Sequence, residues 1–233
     1  LRKNAPTDGE RDSPEADRFT AALFAEFARL RRLAAPEREL RRAGALVLAG
    51  TDEVGRGCLA GPVVAAAVIL QEGAAWPGVD DSKKLEPSER AALAAFLKSR
   101  AVAWAVVSIG AREIDEIGIA TASLKAMKEA LETLRPEPDA ALTDAFAVPG
   151  YRRPQFPLIK GDARSISIAA ASIVAKAARD EMMVLLARRY PAYGFEIHKG
   201  YGVSRHREIL ARIGPSPEHR LSFRGVVSAG KAA

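Results

Sequence analysis

Residues 45–70 read ALVLAGTDEVGRGCLAGPVVAAAVIL, and this stretch decides the fold. Two apolar runs, Ala45–Thr51 and Pro62–Leu70, lack a helical period, and the second is rich in Val and Ile. Both are predicted strands. Between them Asp52-Glu53 runs directly into the Gly-rich segment Gly55–Gly61. Two adjacent acids are a poor choice for a core, because successive strand side chains point to opposite faces. At a strand end both can converge on a hard cation, which takes carboxylate oxygens. The glycines carry no side chain to keep a bulky ligand away, so their N–H groups can grip a sugar or phosphate oxygen, and Arg56 adds positive charge. The same letters also suit an acidic turn whose glycines serve only the backbone.

Downstream, Pro87–Arg100 is a predicted helix with Leu93, Phe96 and Leu97 on one side, and Ala101–Ile109 is a third strand. Residues 113–134 are helical, broken near Gly118 and stopped by Pro136. Ala140–Asp144 reads as a short strand and 149–157 as a Pro/Arg loop. Residues 164–190 form the longest helix, halted at Pro191, and from Tyr193 onward the chain reads as loop with short helices. Strands alternating with helices give an α/β domain. Upstream, 1–13 reads as a loose tail, and Ser13-Pro14-Glu15 as a helix start. Phe19, Leu23, Phe27 and Leu30 then form an apolar stripe, which predicts a helix packed on the body of the protein. A second helical piece is expected over 37–42. The expected division is a short extension over 1–44 and one catalytic unit over 45–233.

A chain of 233 residues with 48% hydrophobic content supports one sizeable core, or at most two small ones. Its single cysteine, Cys58, excludes an internal disulfide framework and a multi-Cys zinc site, and fits a reducing, cytoplasmic compartment. No apolar run is long enough to span a membrane, and the N-terminus has no signal-peptide pattern. Nothing in the sequence demands a dimer. The net charge of +6 is unevenly spread: +2 over 1–44, −5 over 45–150 and +9 over 151–233. A basic third beside an acidic middle suits a polyanion held next to a carboxylate cluster.

Other chemistry-bearing residues follow that division. Asp81-Ser82-Lys83-Lys84 groups a hydroxyl and two cations in a loop, suited to a phosphate contact. Asp144 ends the fourth strand, a third carboxylate at a strand terminus. Lys160-Gly161-Asp162 leads into the long helix, where Asp162 serves as N-cap or as a fourth acid, the cap being the better local choice. Tyr193, His198-Lys199-Gly200-Tyr201-Gly202, His206 and His219-Arg220 interleave aromatics with cations, as nucleic-acid surfaces do. The three histidines do not have metal-site spacing, and Cys58 is expected to pack as a small apolar residue.

Five segments together resemble ribonuclease HII (type 2 ribonuclease H): AGTDEVGRGCLAGPVVAAAVIL at 49–70, DSKKL at 81–85, KGDARSISIAAASIVAKAARD at 160–180, YPAYGFEIHKGYG at 190–202 and GPSPEHRLSF at 214–223. The resemblance runs from about Glu37 to Phe223 with the motifs in matching order. It implies a ribonuclease H-like fold, a mixed central sheet flanked by helices, with a C-terminal helical segment added. It also implies an enzyme that hydrolyses the RNA strand of RNA/DNA hybrids and nicks 5′ of a single ribonucleotide embedded in duplex DNA, leaving a 5′-phosphate and a 3′-hydroxyl, as ribonucleotide removal during DNA replication and repair requires. A replication clamp or similar partner is not readable from these residues.

Residue by residue, the resemblance assigns Asp52, Glu53, Asp144 and Asp162 as catalytic acids and ligands of two Mg²⁺ or Mn²⁺ ions. Two such ions, roughly 3.5–4 Å apart, would activate a water and stabilise the departing 3′-oxygen. It assigns ribonucleotide recognition to Gly55, Arg56, Gly57 and Tyr201. Tyr201 would stack on the following deoxyribose, its hydroxyl reaching the 2′-OH that marks RNA. Ser82, Lys83, Lys84, Lys160, Lys199 and Arg220 are candidate phosphate contacts, and Asp180 a structural ion-pair anchor. Ala145 stands where many bacterial members have glycine after the third acid, which affects only the local turn. Two other readings compete. Ribonuclease HIII shares the acids but usually carries a sizeable folded N-terminal domain, for which 44 residues are too few. An idle RNA/DNA-binding module would have no need of all four acids.

Overall fold

A computed structural model describes residues 14–80 and 85–226. Five strands form one mixed sheet: β1 (Leu48–Val54), β2 (Val63–Ile69), β3 (Ala103–Ile109), β4 (Ala140–Asp144) and β5 (Gln155–Leu158), in the order β3-β2-β1-β4-β5. The β1–β2 and β2–β3 pairs are antiparallel, whereas β1–β4 and β4–β5 are parallel. The helices are α1 (Pro14–Leu33), α2 (Ala35–Arg42), α3 (Pro87–Arg100), α4 (Ala111–Ile117), α5 (Ile119–Thr133), α6 (Ile166–Arg189), α7 (Phe195–His198) and α8 (Ser204–Ile213). The α/β class is the one expected from the alternation of strands and helices, and the mixed sheet flanked by helices is the architecture that the family resemblance implied.

Alternation along the strands builds two cores. Ala49, Val63, Ala65, Ala67 and Ile69 face α5, with Met127 and Leu131 closing that layer. Ala66, Val68 and Leu70 face α6 and α3, against Ile173, Val174 and Leu97. Helix α6 lies directly on β1: a Cβ built on Gly50 would sit 2.1 Å from the Ser167 carbonyl carbon, so only glycine allows this approach. A third cluster joins Leu59 and Ala60 to Met183, Tyr193, Phe195, Ile209 and Leu210, and it ties the C-terminal helices to the Gly-rich segment.

Four expectations change. Strand β1 runs to Val54, so Asp52 and Glu53 lie inside it and pair with Ala66 and Ala65. The 149–157 loop ends in β5, an edge strand whose position tolerates Pro157. The long helix starts at Ile166 with Ser165 as N-cap, its hydroxyl accepting the Ile168 amide, so Asp162 does not cap it. The apolar stripe of α1 does not pack on the body: Phe19, Leu23 and Phe27 are 71%, 59% and 60% exposed. A 20-residue helix is about 30 Å long, and only its final turns, at Leu30 and Leu33, reach the α6 core. The 1–13 tail lies outside the described residues. Among the described residues no helix is long and apolar enough to cross a membrane.

Candidate active site

The parallel register of β1 and β4 is the starting point. Thr51 is opposite Thr143, the last pair of the two strands, and the next residues are Asp144, at the carboxyl end of β4, and Asp52, two residues before that of β1. The carboxyl ends of strands are where open α/β sheets hold their ligands. Asp52 is buried on the α6 face, hydrogen-bonded to Ser172 and accepting the Glu53 amide at 2.7 Å. Burial, reinforced by Glu53 and Asp144, pushes its carboxyl well above the usual range, against the pull of Ser172 and the Glu53 amide. Burial also raises Glu53, while Arg56, 3.1 Å away, draws it back.

Asp144 accepts the Gly161 amide at 2.6 Å, and this bond draws the 3-10 turn Gly161–Ala163, with buried Asp162, against the end of β4. The acids supply oxygen donors, and Glu53 and Asp144 each raise a neighbouring acid's pKa by their negative charge, which fits a hard divalent cation. Among the described residues, no three His, Cys, Asp or Glu side chains stand ready around a single metal position.

The Gly-rich segment is clamped from behind by two fully buried arginines. Arg179 donates to the carbonyls of Pro62, Lys199 and Ala60, and Arg220 to those of Gly61 and Arg56. Gly55 has φ +88°, and a Cβ there would lie 2.1 Å from Arg179 Nε, so the segment needs glycine at that point on both counts. Residues 58–61 also run between two C-terminal segments, with Leu59 N–H donating to Gly200 O and Gly61 N–H to Glu218 O. Cys58 pairs with Tyr201 in an isolated bridge. The Tyr201 hydroxyl is hydrogen-bonded to the Cys58 thiol, and its ring is 42% exposed beside Lys176 and Arg179.

The structure therefore gathers Asp52, Glu53, Asp144 and the Asp162 turn, and beside them Gly55, Arg56, Gly57 and Tyr201. It removes Arg220 from the phosphate contacts: the side chain is fully buried, and its guanidinium donates to the backbone carbonyls of Gly61 and Arg56. Lys160 is exposed on the turn before Asp162, and Lys199 is half-buried with Nζ on the Glu196 carbonyl. Ser82, Lys83 and Lys84 lie outside the described residues. Asp180 does pair with Arg90, at 3.0 Å, and with Lys176. Cys58 packs as a buried small residue.

The sequence reading missed Ser172, Arg179 and Glu37. Glu37 is buried in α2 and accepts from the Ser165 hydroxyl at 2.6 Å and the Ser167 amide at 2.9 Å, so the N-terminal extension holds the start of α6. A serine in an otherwise Ala/Ile helix face was the available signal for Ser172; Glu37, 128 residues from Ser165, left none.

With that geometry in place, comparison with known proteins is decisive: the family model described as Ribonuclease HII matches residues 49–226. The chain belongs to the ribonuclease HII family. It is 53% identical over 197 residues to a Ribonuclease HII of Geobacillus kaustophilus (strain HTA426), covering 84% of this chain and 75% of that protein. The solved ribonuclease H2 from Pyrococcus horikoshii OT3 matches with a TM-score of 0.68 at 27% identity, covering 78% of this chain and 95% of that one. A chain of the PCNA:RNase HII complex from Archaeoglobus fulgidus matches at 0.66 and 27% identity, covering 77% and 95%. As a member of this family the chain is an enzyme of the ribonuclease H class, with the mixed sheet of its structural relatives.

Proposed function

We propose that this protein is a metal-dependent endonuclease that cuts the RNA strand of RNA/DNA hybrids and nicks 5′ of single ribonucleotides in duplex DNA, leaving 5′-phosphate and 3′-hydroxyl ends. The observation that carries this reading is the placement of Asp52 and Asp144 just past the last β1–β4 pair, beside the bridged pair Cys58–Tyr201. Asp52, Glu53, Asp144 and Asp162 would hold two Mg²⁺ or Mn²⁺ ions. When bound, such ions act as Lewis acids and lower the pKa of a coordinated water.

The chain's own residues supply positioning. The open face of the Gly55–Gly57 segment presents backbone N–H groups to the ribose. A Cβ on Gly57 would meet no protein atom within 4 Å, which leaves that side free for a ligand. Tyr201 stacks on the following deoxyribose and turns its hydroxyl from the weak sulfur acceptor of Cys58 to the 2′-OH. Lys160, Lys199, Lys83 and Lys84 neutralise phosphates, and the Ser82 hydroxyl donates to one. Residues 45–233 form the catalytic unit, and 1–44 an extension that seats its start. The enzyme works as a monomer in a reducing cytoplasm, and a sliding clamp is its protein partner, by analogy with the Archaeoglobus complex.

An end-labelled duplex with one embedded ribonucleotide tests the reading. A single nick 5′ of the ribonucleotide in Mg²⁺, abolished by EDTA, is expected; a metal-independent product, or none, overturns it.

A further inference from the structure

Three imidazoles that the sequence reading placed on a nucleic-acid surface are instead buried together behind Tyr201, with Tyr193 buried beside them. His198 lies almost flat on His206, with ring centroids 4.2 Å apart and planes 16° from parallel, and Phe195 packs against His198, His206 and His219. Their hydrogen bonds fix every ring proton. The Tyr201 carbonyl only accepts, so His206 Nδ1, 2.9 Å from it, carries a proton. In the neutral ring His206 Nε2 then only accepts, and His219 Nε2, 3.0 Å away, donates to it. His219 Nδ1 is left as an acceptor, and it receives the Ser216 amide at 2.9 Å, with the Ser216 hydroxyl at 2.8 Å. On the stacked ring, the Gly200 amide donates to His198 Nδ1 at 3.2 Å, so His198 Nε2 donates to the Tyr193 carbonyl at 2.8 Å. All three rings are neutral, each in one tautomer.

We propose that this neutral imidazole relay positions Tyr201 and thereby sets the preference for a single ribonucleotide over a long hybrid. The inference rests on the reading of Tyr201 as the ribonucleotide sensor.

The relay ends on the two residues that carry the tyrosine. His198 takes the Gly200 N–H and His206 the Tyr201 C=O, while Leu59 N–H holds Gly200 O and the Tyr201 N–H donates to His198 O. Every backbone polar group of Gly200-Tyr201 is therefore fixed from within the protein. Among the described residues, the ring itself meets the Cys58 thiol and two cations about 6 Å from its centre, so its aim depends on the backbone beneath it. Apolar side chains would fill the same space at lower desolvation cost, but they could not grip both ends of that dipeptide. The histidines act through Tyr201 and are positioning residues.

The test compares rates on a single-ribonucleotide duplex and on a long RNA/DNA hybrid, using the full chain. His206→Phe keeps a stacked ring without hydrogen bonds, and His206→Asn restores a donor near the place of Nδ1. In His206→Phe the single-ribonucleotide to hybrid ratio falls about tenfold, mainly in kcat, the scale of a misplaced group at a reacting centre. In His206→Asn it recovers to within about threefold. Equal losses on both substrates overturn the inference, because a merely structural role moves both together. Tyr201→Ala is run in parallel. If it leaves the ratio unchanged, the tyrosine reading itself fails. If it lowers the ratio and His206→Phe does not, the relay alone fails. Should His206→Phe not fold, imidazole ¹⁵N shifts of the unmodified enzyme decide at neutral pH. Neutral Nδ1–H at His206 with Nε2–H at His198 and His219 supports the relay, and any other set overturns it.

Discussion

Lowering the pH from 7 to 5 should destabilise this enzyme through His219, by an amount the structure lets us work out. Burial, aided by neighbouring His206, holds the His219 ring at a pKa of about 4 against an ordinary 6.5. The unfolded chain therefore takes up a proton at pH values where the native ring stays neutral. Stability from this group is complete above pH 6.5, drains away as pH falls toward 4, and changes no further below that. At pH 5 the linkage integral amounts to about 2 kcal/mol. For a chain of this size that is a fall of about 4–8 °C in Tm. The assay is urea or thermal unfolding of the wild type and His219→Gln, each at pH 7 and pH 5. Glutamine keeps a donor toward His206 but cannot be protonated. Every other titrating group is common to both proteins, so the difference between the two pH-dependent losses reads His219. Wild type should lose about 2 kcal/mol more than the variant; equal losses would refute the account of a neutral, buried ring.

Three further expectations concern the framework around the site. Glu37→Ala removes the acceptor of two buried hydrogen bonds at the start of α6 and should cost about 2 kcal/mol by urea denaturation, whereas Glu37→Gln, which keeps an acceptor oxygen, should stay within about 1; the reverse order would contradict the bonding described. Gly55→Ala must adopt a left-handed φ and push aside Arg179, so a loss of more than about 2 kcal/mol, together with reduced cleavage, is expected. Arg220→Ala should destabilise by roughly 3 kcal/mol, since it leaves the carbonyls of Gly61 and Arg56 without their guanidinium partner, and should leave the salt dependence of duplex binding unchanged. A phosphate contact would show the opposite pattern.

Much of the fold was legible because its signals are local. Helix α3 and strand β4 were predicted at their observed bounds, the one flanked by proline and a change of period, the other by a short apolar run. Strand β5 was hidden because Pro157 argues against pairing, and only its place at the sheet edge allows it. The stripe on α1 showed a helix but could not show where the body ends. Among the candidate residues, Asp52, Glu53 and Asp144 stood out in the sequence because acids beside apolar strands have no cheap structural use. Arg220 was misread because a basic residue in a basic segment looks like a phosphate contact, and its burial depends on a segment more than 150 residues earlier in the chain. The histidine relay was unreadable for the same reason. Its bonds are set by ring orientation, which spacing in the chain does not encode.

The central claim is that Asp52, just past the last β1–β4 pair, belongs to a metal-dependent cutting centre and not to a binding surface. The most direct measurement is Asp52→Asn, read for duplex binding and for nicking of the same single-ribonucleotide substrate in Mg²⁺. The account predicts affinity within about threefold of wild type and a nicking rate lower by at least about a thousandfold. Nicking that survives at near wild-type rate, with binding intact, would contradict it.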